Sequence, residues 1–218
     1  MATFQQPSAE VRGALDRSRL HLESGQQSGA AACFAFESLA GLHLDGVVLT
    51  GAMLQETDLS RCSLVAAEVC SATANGALFL EADVSRANFK KTSLVEASFV
   101  GATAQGTRFQ DCPLNTTAFD GADLRDADFE HAVLVNASFR SADLRRATLT
   151  RATVRGADFT AANLEGAVFD STVLDGSTRF ANCVGLEKAV VRSVITDQGV
   201  LHSEAACEHL LQMARGAD

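Results

Sequence analysis

The chain has 218 residues, 27 acidic against 18 basic side chains, 47% hydrophobic residues, and neither Trp nor Tyr. A formal charge of −9 has the wrong sign for a nucleic-acid-binding surface, and Phe is the only aromatic side chain left for base stacking. No apolar run approaches the roughly 18 residues of a membrane span. Residues Met1 to Pro7 lack the basic and apolar regions of a secretory signal, so the cytoplasm is the expected compartment.

In chain order, residues 8–24 read as an amphipathic helix. Ser8 stands at the N-cap, Val11, Leu15 and Leu22 share a face, and Gly25 ends the helix. A linker, Gly25 to Gly29, leads into a long periodic segment. From Phe34 to Leu174 every fifth residue is apolar, 29 centres in one unbroken phase. Two residues before each centre the chain is small: 19 Ala, five Thr and two Cys (Cys62, Cys112), with Glu37, Leu42 and Val47 as the exceptions. Every Gly within the segment falls two residues after a centre, and ten of the 13 Phe occupy centres.

A helix repeats at 3.6 residues and a strand at 2.0, so neither accounts for a period of five. The chain must instead turn a corner every five residues, with the centre and the small residue pointing inward. Gly at one fixed phase suits a corner that calls for positive φ. From Phe79 the Phe centres recur every ten residues, interrupted only by Leu149. Ten is half of a four-sided, twenty-residue coil, so Phe should line two opposite walls and smaller residues the other two.

Past Leu174 the register slips by one across Asp175 to Phe180. Leu186, Ala189 and Val190 suggest a short apolar element. Ser203 should cap a last helix, 204–215, with Ala206, Leu210 and Met213 on one face and Leu211 beside them. The expected organisation is therefore an N-terminal capping helix and linker (1–33), a repeat body (34–180), and a C-terminal capping or dimerisation segment (181–218).

Stretches such as Gly121-Ala-Asp-Leu-Arg-Asp-Ala-Asp-Phe129, Gly156-Ala-Asp-Phe159 and Ala161-Ala-Asn-Leu164 follow an A(D/N)(L/F)xx motif. On these residues the chain resembles the pentapeptide-repeat family over about 34–176. The resemblance implies an all-β solenoid, a right-handed quadrilateral β-helix of about seven coils with short capping helices at its ends. Seven coils at the ~4.8 Å strand spacing make a rod about 35 Å long. The quintets 34–49 and those around Ala74 and Ala104 depart from the motif, so irregular coils are expected there.

No chemistry-bearing constellation stands out. The five His (21, 43, 131, 202, 209) are scattered, and Cys207 with His209 has no further metal ligand in phase. The six Cys form no CxxC pair. Cys62 and Cys112 sit at the inward small position and should be buried, inert thiols. Asp58, Asp83, Asp123, Asp128, Asp143 and Asp158 precede centres, a position better suited to turn hydrogen bonds than to acid–base work. The expected protein is no enzyme, with no cofactor and no metal.

Function then falls to the rod surface. An acidic row of Asp83, Asp123 and Asp143 runs beside Arg86, Arg125, Arg145 and Arg146. A second row mixes Lys90, Lys91, Arg108, Arg151 and His131 with Asp111, Asp128, Glu130 and Asp170. A third is poor in charge and carries Val95, Pro113, Val133, Val135 and Val173, a candidate partner face. The candidate dimer helix carries Ala206, Leu210, Leu211 and Met213.

Two function classes follow. One is a non-catalytic module that docks a protein along a rod face. The other, implied by the resemblance, is a DNA mimic that modulates or protects a type II topoisomerase such as DNA gyrase. A duplex carries one charge per ~1.7 Å, or roughly 20 over such a rod. Residues 50–180 hold 17 acidic and 12 basic side chains, a net of only −5. Mimicry therefore requires the acids to gather on one side. Neither direct nucleic-acid binding nor membrane association is expected, and a homodimer through the C-terminal segment is the expected self-association.

Overall fold

The computed structural model describes residues 4–25 and 30–215. Most of the linker anticipated at Gly25–Gly29 lies outside them. Between Cys33 and Val173 the five-residue period becomes a stack of parallel bridges in which each residue pairs with one 20 positions on. Four such columns wind around the rod, so the molecule is a β-helix solenoid. Face I carries the centres from Phe34 to Leu174, face II those from Leu39 to Phe159, face III those from Leu44 to Leu164, and face IV those from Leu49 to Phe169. Each coil is counted from its face I residue, 33, 53, 73 and so on. The corner after each face is counted with that face.

The motif follows from the accounting of backbone N–H groups. In the quintet around Leu59, Asp58 donates back to Glu37, while Leu59 and Arg61 donate on to Leu78 and Leu80, at 2.7–2.9 Å. Cys62 closes the corner by donating to the Leu59 carbonyl. One N–H per quintet, that of the residue after the centre, finds no backbone partner. The Asp before the centre accepts it: Asp58 from Ser60, Asp83 from Ser85, Asp123 from Arg125, Asp128 from Glu130, Asp143 from Arg145 and Asp158 from Thr160, at 2.9–3.3 Å. A buried or half-buried N–H needs such a partner, which is why this position favours Asp and Asn. The corner residue itself is left-handed, with φ between 52 and 64° at non-Gly positions from Phe36 to Ser171.

Inside, the centres and small residues are almost wholly buried. The Phe rings form two opposed stacks, as the ten-residue recurrence anticipates. On face II, Phe79, Phe99, Phe119, Phe139 and Phe159 stack at 4.4–5.1 Å between ring centroids. On face IV, Phe89, Phe109 and Phe129 stack at 5.0–5.4 Å. Rings meet edge to face across the rod, at 5.5 Å for Phe99 and Phe109. Both geometries suit aromatic quadrupoles. Where the small residue is Thr or Cys, its side chain donates to the carbonyl of a centre 23 residues earlier: Thr57 to Phe34, Cys62 to Leu39, Thr107 to Val84, Cys112 to Phe89, Thr117 to Leu94.

The irregular coils expected at 34–49 and around Ala74 and Ala104 do not occur. Bridges such as His43↔Ser63, Thr73↔Ser93 and Thr103↔Asp123 keep the 20-residue step. Turn geometry tolerates the missing Asp, and Ala74 and Ala104 remain buried. Pro113 does disturb the ladder: it has no N–H to give the Thr92 carbonyl, and the Ser93–Pro113 rung is missing while the Leu94 N–H still reaches the Pro113 carbonyl at 2.9 Å.

Helix α1 (Ala9–Glu23) is capped by Ser8, which accepts from the Val11 N–H at 3.2 Å. Val11, Ala14 and Leu15 pack on the rod core, and the buried Ser18 accepts from the Ala32 N–H. Ahead of the helix, Gln5 adds a parallel rung against Leu42.

At the other end the parallel ladder runs past residue 180, where the sequence places the end of the regular body. Arg179 and Val184 pair 21 residues back with Asp158 and Asn163. Strands β1 (Val168–Phe169) and β2 (Thr172–Val173) pair 22 residues on with β3 (Val190–Val191) and with β4 (Ser193–Thr196). Each step absorbs one added residue. Phe180 continues the face II stack 5.1 Å from Phe159. The chain then reverses into β5 (Gly199–His202), antiparallel to β4, and ends in α2 (Ser203–Arg215).

Candidate functional site

The candidate surfaces sit on a ladder of constant 20-residue register, so side-chain placement follows from register. The charge-poor strip lies on face I, where Val133 is exposed and Val95, Pro113, Val135 and Val173 are half-buried. Pro113, Val133 and Val173 share one bridge column with Thr153. Val95 and Val135 flank it on the other side of the centres. Pro113 and Val133 are neighbours in that column, while Thr153 separates Val133 from Val173 and Asn115 stands between Val95 and Val135.

The acidic row on face III is broken: Asp83 stands in the column but is separated from Asp123 by Thr103 and accepts from the Ser85 N–H. Asp123 and Asp143 are stacked, but each is held by the guanidinium two residues on, Arg125 at 2.6 Å and Arg145 at 2.6 Å. Asp126 is held by Arg146 at 2.7 Å and Glu165 by Lys188 at 2.9 Å. Hydrogen bonding to Arg125 keeps the Asp123 carboxyl below the ordinary carboxylate range, and Arg146 and Lys188 do the same for Asp126 and Glu165. Arg125, Arg145 and Arg146 are correspondingly harder to deprotonate. The second mixed row, on face IV, shows looser pairs: Lys90 with Asp111 at 3.9 Å and Arg192 with Asp170 at 3.6 Å.

Ala206 and Leu210, named as dimer contacts, are wholly buried against their own chain, while Leu211 and Met213 are half-buried on the same core. The amphipathic stripe on α2 is spent on its own chain. The large exposed apolar residues at this end are instead Val184, Val190 and Val200.

The thiols at 62 and 112 are buried and unpaired with sulfur. Burial raises the Cys62 thiol to about 11 and the Cys112 thiol to about 12, far from a nucleophile at neutral pH. Among the described residues no three His, Cys, Asp or Glu side chains gather as metal ligands, and no helix is long and apolar enough to cross a membrane.

The concavities among the described residues include a small one of about 180 Å³ between α1 and residues 46–48, and two larger ones. A cleft of about 700 Å³ lies between residues 175–181, the β4–β5 turn and α2, lined by Thr178, Arg179, Asp197, His209 and Met213. Asp175 at its rim is occupied by Gly156, Ser177 and Thr178. A smaller depression of about 410 Å³ opens on face II around Asp58, Arg61, Leu80 and Glu81. Face II was overlooked in the sequence. Leu78 and Val100 are the signal that could have found it, large apolar residues at phases that elsewhere on that face hold Ser, Ala, Asp, Thr or Arg.

These features define a repeat solenoid whose surfaces, not an internal pocket, differ from one another. The chain belongs to the pentapeptide-repeat family: the family model for pentapeptide repeats matches in eight copies over residues 38–68, 77–115, 122–160 and 150–183, more than half of the chain. No curated protein sequence matches it. Similar solved structures include HetL, a pentapeptide repeat protein involved in heterocyst differentiation regulation from the cyanobacterium Nostoc, 24% identical, covering 79% of this chain and 82% of that one with a TM-score of 0.39. A second is QnrB1, a plasmid-mediated fluoroquinolone resistance protein, 19% identical over 77% of this chain and 82% of that one, TM-score 0.44. A third, a pentapeptide repeat protein of the Arabidopsis thaliana thylakoid lumen, is 22% identical over 55% and 66%, TM-score 0.28. Similarity at these levels carries nothing about partner or activity.

Proposed function

We propose that the protein is a non-catalytic interaction module that presents its rigid rod to a protein partner, with α1 and α2 serving as caps over the open sheet edges. The supporting observation is the charge-poor, valine-bearing strip of face I on a regular ladder. Such a surface docks without reorganising, which spares the ordering cost of association. In this reading the protein acts in the cytoplasm. Val133→Glu combined with Val135→Glu should abolish capture of the partner while leaving the circular dichroism spectrum unchanged. Retained capture would remove face I from the reading.

The alternative, a DNA-mimicking modulator or protector of a type II topoisomerase such as gyrase, has less support, because Asp123 and Asp143 are neutralised by their own arginines. A supercoiling assay with purified gyrase, with and without a fluoroquinolone, tests it. Neither inhibition nor protection at tens of micromolar would dispose of it. Exposed Val184, Val190 and Val200 favour a homodimer through the C-terminal end. Val200→Lys should then lower the sedimenting mass to the monomer, and an unchanged mass would exclude that contact.

A further inference from the structure

Charge is distributed unevenly around the N-terminal half of the rod. Between residues 37 and 100, faces I and II with their corners hold Glu37, Glu56, Asp58, Glu81 and Glu96 against Arg61, a formal net of −4. Over the same stretch faces III and IV hold Asp45, Glu68 and Asp83 against Arg86, Lys90 and Lys91, a net of zero. No single row reveals this, because each holds only a few charges. It emerges when adjacent faces are taken together.

Within the acidic side lies an apolar patch. Leu78 and Leu80 flank the Phe79 centre, and Val100 stacks on Leu80 one coil further along. Leu78 and Val100 are each 38% exposed. The same two phases of face II hold Ser38, Ser98 and Ser138 on one side and Ala40, Ser60 and Thr160 on the other, so the fold itself does not require large apolar groups there. Acids surround the patch: Asp58 precedes Leu78 in its column, Asp120 follows Val100, and Glu81 and Glu96 stand at the two corners. The one cation, Arg61, is taken by Glu81 at 3.1 Å. Beside Leu80 the depression of about 410 Å³ is lined by Asp58, by Glu81 with the Arg61 that pairs with it, and by the small residues Ala40, Gly41 and Ser60. Its walls suit a long cationic side chain, an aliphatic stem lying on Leu80 and a charged head meeting Asp58, which forms no ion pair among the described residues while Arg61 is held by Glu81.

We infer that face II between its second and fifth coils is a docking site for a short basic, apolar-anchored segment of a partner protein. The inference rests on the reading of the rod as an interaction module and names both the surface and the chemistry of the partner. Charge complementarity sets the sign of the segment, and the Leu78–Leu80–Val100 patch supplies the contact that desolvates it. An acidic or uncharged segment would leave Asp58, Glu96 and Asp120 without a counter-charge.

The test is fluorescence anisotropy of a labelled synthetic peptide alternating lysine with leucine, titrated with the full chain. The expected result is saturable binding, weakened about tenfold both by Leu78→Ser with Val100→Ser and by Glu81→Lys with Glu96→Lys. Glu68→Lys with Asp111→Lys on face IV, and Val133→Glu with Val135→Glu on face I, should leave it unchanged. A peptide alternating glutamate with leucine should not bind. Serine already occupies an equivalent column position in neighbouring coils, so an unaltered circular dichroism spectrum is expected for the apolar pair. Absence of binding, indifference to the Leu78/Val100 pair, or equal loss from the face II and face IV reversals would each overturn the proposal. If a captured partner survives the face II variants and is lost only in the face I variant, docking at face II fails while the interaction module stands.

Discussion

The middle of the rod and its closing segment solve the same problem by different means. Between Phe79 and Phe159 every coil has 20 residues, and apart from the rung lost at Pro113 the bridge residues, centres and corners repeat one pattern of hydrogen bonds. Beyond Leu174 the steps lengthen to 21 and 22, a 3-10 turn (Leu186–Lys188) appears, and the chain finally reverses into a hairpin under α2. In the middle, stability is shared among equivalent layers. At the end it depends on single residues that fit a non-repeating shape.

Removing a ring from the middle should have the largest effect. Phe119→Ala deletes stacked contacts to Phe99 and Phe139 and leaves a cavity in a close-packed interior. A loss of about 3–5 kcal/mol in urea unfolding is expected. A loss below about 1 kcal/mol would mean that adjacent layers collapse into the gap. Gly185→Ala probes the end. Its φ is +74°, and an added Cβ would lie 2.7 Å from the Glu165 backbone nitrogen. A cost of about 2 kcal/mol is expected, confined to residues 186–202. Hydrogen exchange should show lost protection there and none across 79–139; uniform loss would show the two regions to be one cooperative unit.

Restoring a rung should act weakly and in the opposite direction. Pro113→Thr supplies an N–H to the Thr92 carbonyl and should gain up to about 1 kcal/mol. Destabilisation would show that the ring of Pro113 contributes more than the missing bond. The smallest effect concerns acid. Asp58 and Asp175, lowered chiefly by bonds from Ser60 and Ser177, and Asp123, Asp126 and Glu165, lowered by Arg or Lys, all titrate below their unfolded values. Their contribution is present above the ordinary carboxylate range and is lost as pH falls through the lowered values. Molar salt should reduce this acid sensitivity for the Arg- and Lys-paired groups and spare the Ser-bonded pair Asp58 and Asp175. Equal sensitivity in Asp58→Asn and Asp126→Asn variants under both conditions would contradict that division.

The regular part of this architecture was legible because five is an unusual period and the inward residues are restricted to Ala, Leu, Phe, Thr and their like. The Asp before each centre was legible too, once a corner was known to leave an N–H unpaired. What failed to show was anything that depends on two residues from different coils. The slips that follow Leu174 hide Phe180, Val184 and Ile195 from a five-residue count, though each continues a column. The pairing of Asp123 and Asp143 with Arg125 and Arg145 was by contrast legible, since the sequence already sets each Asp beside its Arg in one mixed-charge row. The helix residues Ala206 and Leu210 form an apolar stripe whether they meet their own chain or another. Leu78, Leu80 and Val100 were present in the sequence but diluted among faces compared one at a time.

The fixed 20-residue step also gives the rod the properties of a geared shaft. Insertion of a whole coil would move every later side chain about 4.8 Å along the axis without turning it. Insertion of one quintet would rotate everything beyond it by a quarter turn, carrying the C-terminal hairpin from the face I column to a neighbouring side. The angle between the two ends of the molecule is thus a counted quantity, set by how many quintets lie between Phe34 and Leu174 and held there by the ladder.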